Sequence, residues 1–173
     1  MNIYTRMGDS GVTSNLRGER ISKNDISMHL IGAADELNSH LGLIKTFFLN
    51  NDSRRFIEEI QRNLMKLMAY VSDISSEKYL FSNDEVDVLE REIDKLSRGE
   101  PSGQGSEKTH KRFELVLPGK SVIEAQIHIA RTVARRAERM FFAVNENKLL
   151  CQSAGAYLNR LSDYLFVLSQ QEF

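Results

Sequence analysis

The chain has 173 residues, of which 41% are hydrophobic and 27% are charged, and its formal net charge is −1 at neutral pH. This length predicts one globular domain with its own core, and the near-zero charge argues against a nucleic-acid-binding protein. The single cysteine, Cys151, excludes an internal disulfide, and no signal peptide or membrane helix is recognisable, so we expect a cytoplasmic protein without a membrane partner.

Residues 1–22 differ from the rest of the chain because they combine glycines with hydroxyl side chains and show little apolar periodicity. We interpret them as an extended arm with glycine hinges. Residues 5–14, with the sequence TRMGDSGVTS, offer backbone N–H groups, hydroxyls and the Arg6 guanidinium to an anion, and a triphosphate fits this chemistry. A flexible tail explains the composition equally well, and the spacing is not that of a P-loop.

Five segments then carry apolar residues at helical spacing, which predicts an all-α bundle of five amphipathic helices. Asn50–Ser53 is predicted to form the turn between the first two helices and to cap the second one. Ser82 with Glu85, and Ser121 with Glu124, have the capping-box spacing at the starts of the third and fourth helices. The five apolar stripes consist of Leu30, Ala34, Leu37, Leu41, Ile44 and Phe48; Ile57, Ile60, Leu64, Leu67, Val71 and Ile74; Val86, Leu89, Ile93 and Leu96; Ile123, Ile127, Ala130, Ala134, Ala137, Phe141 and Val144; and Leu150, Ala154, Tyr157, Leu161, Leu165 and Leu168.

A long connection separates the third and fourth predicted helices. Gly99–Arg112 is polar and glycine-rich, which predicts either a mobile or a functional loop. Phe113–Leu117 follows as a short extended piece that ends at Pro118–Gly119.

The fourth predicted helix carries four arginines within nine residues. Arg131, Arg135 and Arg139 are spaced by four and share one face, and Arg136 lies beside them. This stripe favours phosphate binding or pairing with another helix, and a solvated face with weak surface ion pairs is the simpler alternative. None of the four histidines has metal-ligand spacing, and we interpret His128, one turn before Arg131, as a residue of the helix face.

Polar residues also interrupt the apolar stripes of the first and fifth helices. Asp35 and Glu36 lie at the margin of the first stripe, where a carboxylate needs a partner. The arginines of the fourth helix are the obvious partners, either in a site or in a structural salt bridge between helices. Asn159, Ser162 and Asp163 share a face of the fifth helix, which predicts either a cavity or a hydrogen-bond network between helices.

Together these strings resemble the PduO-type ATP:cob(I)alamin adenosyltransferases. YTRMGDSG and GERISKND resemble the family's N-terminal arm and the segment after it, and GAADELNS resembles its DELNS motif. VLPG followed by ARTVARRAER, and then YLNRLSDYLF, resemble its later segments. The strings occur in the family's order and span almost the whole chain, so the resemblance is specific.

The resemblance implies a five-helix bundle with ferritin-like up-down packing and an extended N-terminal arm, forming a homotrimer with active sites between subunits. Residues 1–173 would be one adenosyltransferase domain, with 1–22 as the nucleotide-binding arm and 99–120 as a loop near the corrin. The implied reaction transfers the 5′-deoxyadenosyl group of ATP to cob(I)alamin or another reduced corrinoid, giving adenosylcobalamin and triphosphate. Magnesium would sit on the triphosphate, an external flavoprotein-type reductant would supply electrons, and a cobalamin-dependent enzyme is a candidate recipient of the product.

The resemblance also assigns site residues. Asp35 and Arg131 match an intersubunit salt bridge that supports the corrinoid site. The implied catalytic residues are Asp35, Arg131 and Arg135. The implied corrinoid contacts are Asp35, Phe113, Leu115, Arg131 and Asn159. The implied ATP contacts are Thr5, Arg6, Met7, Gly8, Thr13, Lys23, Arg135, Arg136, Glu138, Arg139 and Asn159.

Three positions depart from the family pattern. Met7 replaces a threonine and Ser10 replaces a lysine, and each change predicts weaker triphosphate binding. Leu115 stands where the family has a phenylalanine that displaces the lower axial ligand of the corrin. In an extended segment Phe113 faces the same side as Leu115, so either residue is a candidate for shielding the cobalt.

The implied chemistry is nucleophilic substitution at carbon, which needs charge stabilisation of the leaving triphosphate and no general base. Two other functions stay open at this stage. One is a non-catalytic trimeric bundle that binds nucleotide or corrinoid as a chaperone or sensor. The other is a helical nucleic-acid-binding protein that uses the arginine stripe, against which the net charge argues.

Overall fold

The computed structural model describes residue 6 and residues 8–48, 50–98, 116–146 and 149–172. Five α-helices make up most of this part of the chain, which confirms the mostly helical fold, and a two-stranded sheet precedes them. None of the described helices combines the length with the apolar character that crossing a bilayer requires. The elements in chain order are β1 (Val12–Ser14), β2 (Arg20–Ser22), α1 (Ile26–Phe47), α2 (Asn51–Ser72), a 3-10 turn (Glu77–Tyr79), α3 (Asn83–Arg98), α4 (Val122–Asn145) and α5 (Gln152–Ser169).

The arm pairs with itself as a hairpin, which apolar periodicity did not predict. β1 and β2 are antiparallel, with Thr13 opposite Ile21. At the turn the side-chain oxygen of Asn15 accepts a hydrogen bond from the N–H of Glu19 at 2.8 Å. Gly18 has a φ of 76°, a left-handed conformation that glycine adopts without strain. Local hydrogen bonds and one glycine therefore create the only sheet among the described residues.

Three helices of the bundle have a helix on each side: α1 packs against α2 and α4, α4 packs against α1 and α5, and α5 packs against α4 and α3. Lys45 of α1 pairs with Glu58 of α2 at 3.1 Å, while Gln61 donates to the backbone oxygen of Asn38 at 3.1 Å. These two contacts show that α1 and α2 run antiparallel. The finer description as ferritin-like packing, and the trimer, stay predictions.

The predicted apolar stripes form the core, except that Ile93 and Leu96 of α3 are partly buried against it and Ile74 lies outside it. α2 ends at Ser72, and Ile74 is 37% exposed. The carboxylate of Asp73 accepts hydrogen bonds from both the N–H and the hydroxyl of Ser75. This local bonding competes with the helix and ends it two residues before the predicted stripe does.

The start of α3 is held by the capping-box contact that its sequence predicts. The N–H of Ser82 donates to Glu85 Oε2 at 2.8 Å, and Lys66 of α2 pairs with the same carboxylate. Burial raises the pKa of Glu85, but the hydrogen bonds from Lys66 and Ser82 outweigh it and lower the pKa from 4.5 to about 2. The ionised carboxylate therefore ties α2 to α3.

We expect the free energy of unfolding to fall as the pH drops from about 5 towards 2. The pKa of Glu85 is lower in the folded protein than in the unfolded chain. Its contribution to the free energy of unfolding is therefore complete at pH values above the unfolded pKa, and it is lost as the pH falls through the folded pKa. Glu85→Gln should remove about 2 kcal/mol at pH 7 and weaken this pH dependence. Urea unfolding of both proteins at pH 7 and pH 3 measures the effect, and equal stability at pH 7 would contradict it.

Candidate active site

A cleft of about 460 Å³ opens between α4 and α5, a volume within the range of small-molecule sites. Asn159 Nδ2 donates a hydrogen bond to Glu138 Oε1 at 2.9 Å in the wall of this cleft. The family resemblance implies that both residues contact ATP. The fold therefore brings together two expected ATP contacts from different helices. The other residues that line the cleft are Phe141, Phe142, Asn145, Gln152, Gly155 and Ala156.

The shape of the cleft depends on the close approach of α4 and α5 at Gly155. A Cβ atom at this position would lie 2.8 Å from Cε1 and 3.2 Å from Cδ1 of Phe141. The Phe141 side chain is 1% exposed, and its ring meets that of Phe142 edge-on, with centroids 5.7 Å apart. The buried ring has little room to move, so only glycine permits this spacing of the helices.

We expect Gly155→Ala to destabilise the fold by about 1–3 kcal/mol, because the added methyl group overpacks the contact with Phe141. Displacing the ring narrows the cleft, so the KM for ATP should also rise. Gly42→Ala is the matched control. Its Cβ would meet only the flexible Gln61 side chain, at 3.4 Å, and the change should be neutral or stabilising. Thermal unfolding compares the two variants, and equal Tm values would contradict the role of Gly155.

The arginine stripe lies on α4, the helix that supplies Glu138 to this cleft, although none of the lining residues is an arginine. Arg135 and Arg139 are exposed, and Arg139 Nη1 donates to the backbone oxygen of Arg135 at 3.1 Å. Within the described ranges, Arg131, Arg135 and Arg139 form no ion pair with a carboxylate. Cationic groups without an internal counter-ion next to a cleft are suited to an anionic ligand.

Arg136, the fourth arginine of the helix, does have a carboxylate partner. Arg136 pairs with Glu36 of α1, and His40 lies 4.0 Å from the other oxygen of that carboxylate. The structural salt bridge between helices therefore forms, and Glu36 makes it. Asp35 is exposed and has no ion-pair partner in the part of the chain that is described. The expected pair of Asp35 with Arg131 is thus not formed within one subunit.

The arm brings together two more of the expected ATP contacts. A Cβ atom at Gly8 would lie 3.0 Å from Lys23 Nζ, so the ammonium group lies against the Gly8 backbone. The N–H of Lys23 donates to the backbone oxygen of Gly11 at 2.9 Å. A further hydrogen bond, from the N–H of Leu16 to Ser72 Oγ at 3.0 Å, ties the hairpin to the end of α2. The arm is therefore anchored to the bundle.

The remaining expected site residues are described only in part. Arg6 has a φ of 58°, a left-handed conformation that is uncommon for a side-chain-bearing residue, and Thr13 lies in β1. The described residues contain no cluster of three or more histidine, cysteine, aspartate or glutamate side chains arranged for a metal ion. The expected site residues outside the described ranges are Thr5, Met7, Phe113 and Leu115.

The polar residues of α5 that the sequence grouped together have different surroundings. Asn159 faces the cleft, whereas the hydroxyl of Ser162 donates to the backbone oxygen of Asn159 in its own helix at 2.9 Å. Asp163 pairs with Arg160, which also reaches Glu90 of α3 at 3.1 Å. The predicted cavity is therefore found at Asn159. The predicted contact between helices is found at Asp163, whose partner Arg160 reaches α3.

Sequence reasoning missed the surroundings of two residues at the start of α4. The hydroxyl of Ser121 caps the helix as predicted, by accepting from the N–H of Glu124 at 3.2 Å. The Glu124 carboxylate, however, binds the N–H groups of Gly119 (2.7 Å) and Lys120 (3.1 Å). His128 lies on the face of α4 one turn before Arg131, as interpreted, but it is only 4% exposed and lies beside Glu124. The spacing of four between these two residues was the available signal.

Comparison with known proteins agrees with this geometry. The family model described as cobalamin adenosyltransferase matches residues 3–172. A corrinoid adenosyltransferase from Citrobacter freundii is 34% identical over 175 residues, which cover 98% of this chain and 94% of that protein. A cobalamin adenosyltransferase from Cupriavidus metallidurans is 38% identical over 170 residues, which cover 97% of this chain and 86% of that protein. The chain spans half (50%) of the length of the longer corrinoid adenosyltransferase PduO from Salmonella typhimurium.

The fold is also similar to solved structures. A phenylalanine-to-alanine variant of a PduO-type ATP:corrinoid adenosyltransferase from Lactobacillus reuteri, complexed with cobalamin and ATP, has a TM-score of 0.83. Its sequence identity is 28%, and the match covers 98% of this chain and 92% of that chain. The five-helix fold, the cleft between α4 and α5 and the match over nearly the whole length lead to one conclusion. This chain belongs to the cobalamin adenosyltransferase family and is an ATP-dependent corrinoid adenosyltransferase.

Proposed function

We propose that the enzyme holds ATP with the amides of its arm and the arginines of α4, and places the 5′ carbon before the cobalt of a reduced corrinoid. The cleft of about 460 Å³ carries this proposal, because Glu138 and Asn159 meet in its wall. Arg135 and Arg139, which have no carboxylate partner among the described residues, precede and follow Glu138 on the same helix. The assigned ATP contacts are those named in the sequence analysis. One domain, residues 1–173, would contain all of these parts.

The proposed reaction forms a cobalt–carbon bond and breaks the bond between the 5′ carbon and the triphosphate oxygen. The electron pair of Co(I) makes the new bond, and the triphosphate leaves with the electrons of the old one. Arg135, Arg139, Lys23 and the arm amides stabilise the growing negative charge. A magnesium ion carried by the triphosphate would neutralise part of that charge. No proton moves, so the site needs no general base.

The active site is proposed to lie between subunits of a homotrimer. Among the described residues, Asp35 on α1 has no basic ion-pair partner and Arg131 on α4 has no carboxylate partner. Both groups are therefore available for a salt bridge across an interface. Half-exposed apolar residues on both helices support an oligomer, since a monomer would leave them in water. These residues are Leu43 and Phe47 on α1, and Ile129 and Phe142 on α4.

The corrinoid is proposed to contact Asp35, Arg131 and Asn159, with Phe113 or Leu115 shielding the cobalt from its lower ligand and from water. Loss of that ligand favours Co(I), and an external flavoprotein-type reductant would supply the electron. A cobalamin-dependent enzyme is the candidate recipient of the product, and the cytoplasm is the predicted location.

Absorbance spectroscopy tests the proposed function. Chemically reduced cobalamin mixed with the enzyme and magnesium-ATP should convert to the spectrum of adenosylcobalamin, with release of one triphosphate per cobalt. Omitting ATP is the control. Corrinoid and ATP binding without triphosphate release would instead support the non-catalytic chaperone or sensor.

A further inference from the structure

Glu124 is a buried carboxylate that joins α4 to the turn before it. Its side chain is 3% exposed, and Oε2 accepts from the N–H groups of Gly119 (2.7 Å) and Lys120 (3.1 Å). Gly119 has a φ of 121°, a conformation that favours glycine. The carboxylate therefore fixes a turn whose backbone would otherwise offer two unpaired donors. This turn ends the loop of residues 99–120 that is expected near the corrin.

The second oxygen of Glu124 connects this turn to Arg131 through one histidine. His128 Nε2 lies 3.1 Å from Glu124 Oε1, an ion-pair distance, and neither atom has a partner with hydrogen-bond geometry in the described part of the chain. On the other side of the ring, Arg131 Nε donates to His128 Nδ1 at 3.3 Å. Three side chains, one helical turn apart from each other, thus form a continuous chain of polar contacts along α4.

The contacts define the protonation state of the histidine. Because Arg131 Nε is always a donor, His128 Nδ1 must accept, so the proton of a neutral ring lies on Nε2, the nitrogen that is 3.1 Å from Glu124 Oε1. Burial lowers the pKa of His128, which favours the neutral ring. The hydrogen bond from the Gly119 amide lowers the pKa of Glu124, which keeps the carboxylate ionised. The Nε2 proton of His128 therefore lies beside an ionised oxygen, and Nδ1 accepts from Arg131.

We propose that Glu124 and His128 are positioning residues that orient the Arg131 guanidinium for the corrinoid side of the active site. This inference rests on the proposed role of Arg131. With Nε held by His128, the plane of the guanidinium is set, and its two terminal nitrogens stay available for a group outside the subunit. The same carboxylate also holds the turn at Gly119, so Glu124 fixes the position of the loop end relative to Arg131.

Two substitutions of His128 separate positioning from structural support. His128→Gln places an N–H donor near the Nε2 position and removes the acceptor for Arg131, whereas His128→Asn keeps an acceptor near the Nδ1 position and loses the contact with Glu124. We expect the glutamine variant to lower kcat and raise the corrinoid KM, with kcat/KM down by about 10- to 100-fold, and to leave the KM for ATP unchanged. The asparagine variant should stay within about threefold of the wild type.

Glu124→Gln tests the tautomer directly. The amide oxygen still serves the turn, but the amide nitrogen now donates to His128, which must move its proton to Nδ1 and oppose the Nε–H of Arg131. We expect the same kinetic loss as for His128→Gln. Glu85→Gln is the matched control, because Glu85 also accepts a backbone N–H at a helix start and lies outside the site. It should lower stability and leave kcat and both KM values unchanged.

A double-mutant cycle with Arg131→Lys decides the inference. Lysine keeps the charge and has no Nε, so His128→Gln should cause little further loss in that background. Losses that multiply instead would overturn the positioning role, and so would equal rates for the two His128 variants. If Arg131→Lys alone leaves kcat and the corrinoid KM unchanged, the proposed role of Arg131 is wrong, and the positioning role that rests on it is overturned as well. Circular dichroism confirms folding, and the His128 variants decide the outcome if Glu124→Gln does not fold.

Discussion

Arg135→Ala is expected to abolish measurable turnover, a loss of at least about 1,000-fold in kcat, and to weaken ATP binding. The reason is the charge of the leaving group: triphosphate gains negative charge as the bond to the 5′ carbon breaks. Arg135 is exposed on α4 near Glu138, and no carboxylate of the described residues neutralises it. Its charge is therefore available to the transition state.

The measurement combines two readouts of the Arg135→Ala variant. The absorbance change of reduced cobalamin gives kcat, and calorimetry with magnesium-ATP gives the Kd. Arg62→Ala on α2 is the matched control, since it removes an exposed arginine of another helix and should change neither value. An unchanged rate for Arg135→Ala would show that the stripe of α4 does not stabilise the triphosphate.

Asp35→Asn is expected to raise the corrinoid KM by about 30-fold or more, while the KM for ATP stays the same. This carboxylate has no ion-pair partner among the described residues of its own subunit. If it pairs with Arg131 of a neighbouring subunit, the substitution leaves a cation unpaired at the interface beside the corrinoid. Analytical ultracentrifugation of both proteins provides the control, because loss of the proposed trimer in the variant would mean that Asp35 is structural.

Mixed assemblies test the position of the site between subunits. Asp35→Asn and Arg135→Ala subunits, each impaired alone, are unfolded together and refolded at equal ratio. A site that takes Asp35 from one subunit and Arg135 from its neighbour has intact combinations in the mixture, so activity should rise well above that of either variant. A mixture no more active than the separate proteins would place both residues in one subunit.

The helices and the core follow from local features that a sequence displays. Residues such as Leu37, Leu41 and Ile44 repeat at the helical period, and burying such a stripe is favourable in almost any bundle. The caps at Asn50 and Ser121 depend on side chains within three residues of the helix start, so they too were predictable. The resemblance of whole motifs then supplied the family.

Contacts between distant residues were not predictable in this way. Nothing local distinguishes Glu36 from Asp35 as the partner of Arg136, because the choice depends on how α1 is rotated against α4. Gly155 reads as a poor helix residue until Phe141 is placed 2.8 Å from its missing Cβ.

For this protein, then, the order of residues alone determined five amphipathic helices, their caps, the arginine stripe and the family to which the motifs belong. Tertiary structure decided which carboxylate pairs with which arginine, where α4 and α5 separate into a cleft, and that Glu124 and His128 join a turn to Arg131. The physical reason is range: periodicity and capping act within a few residues, whereas pairing and packing depend on the angles and rotations at which helices meet.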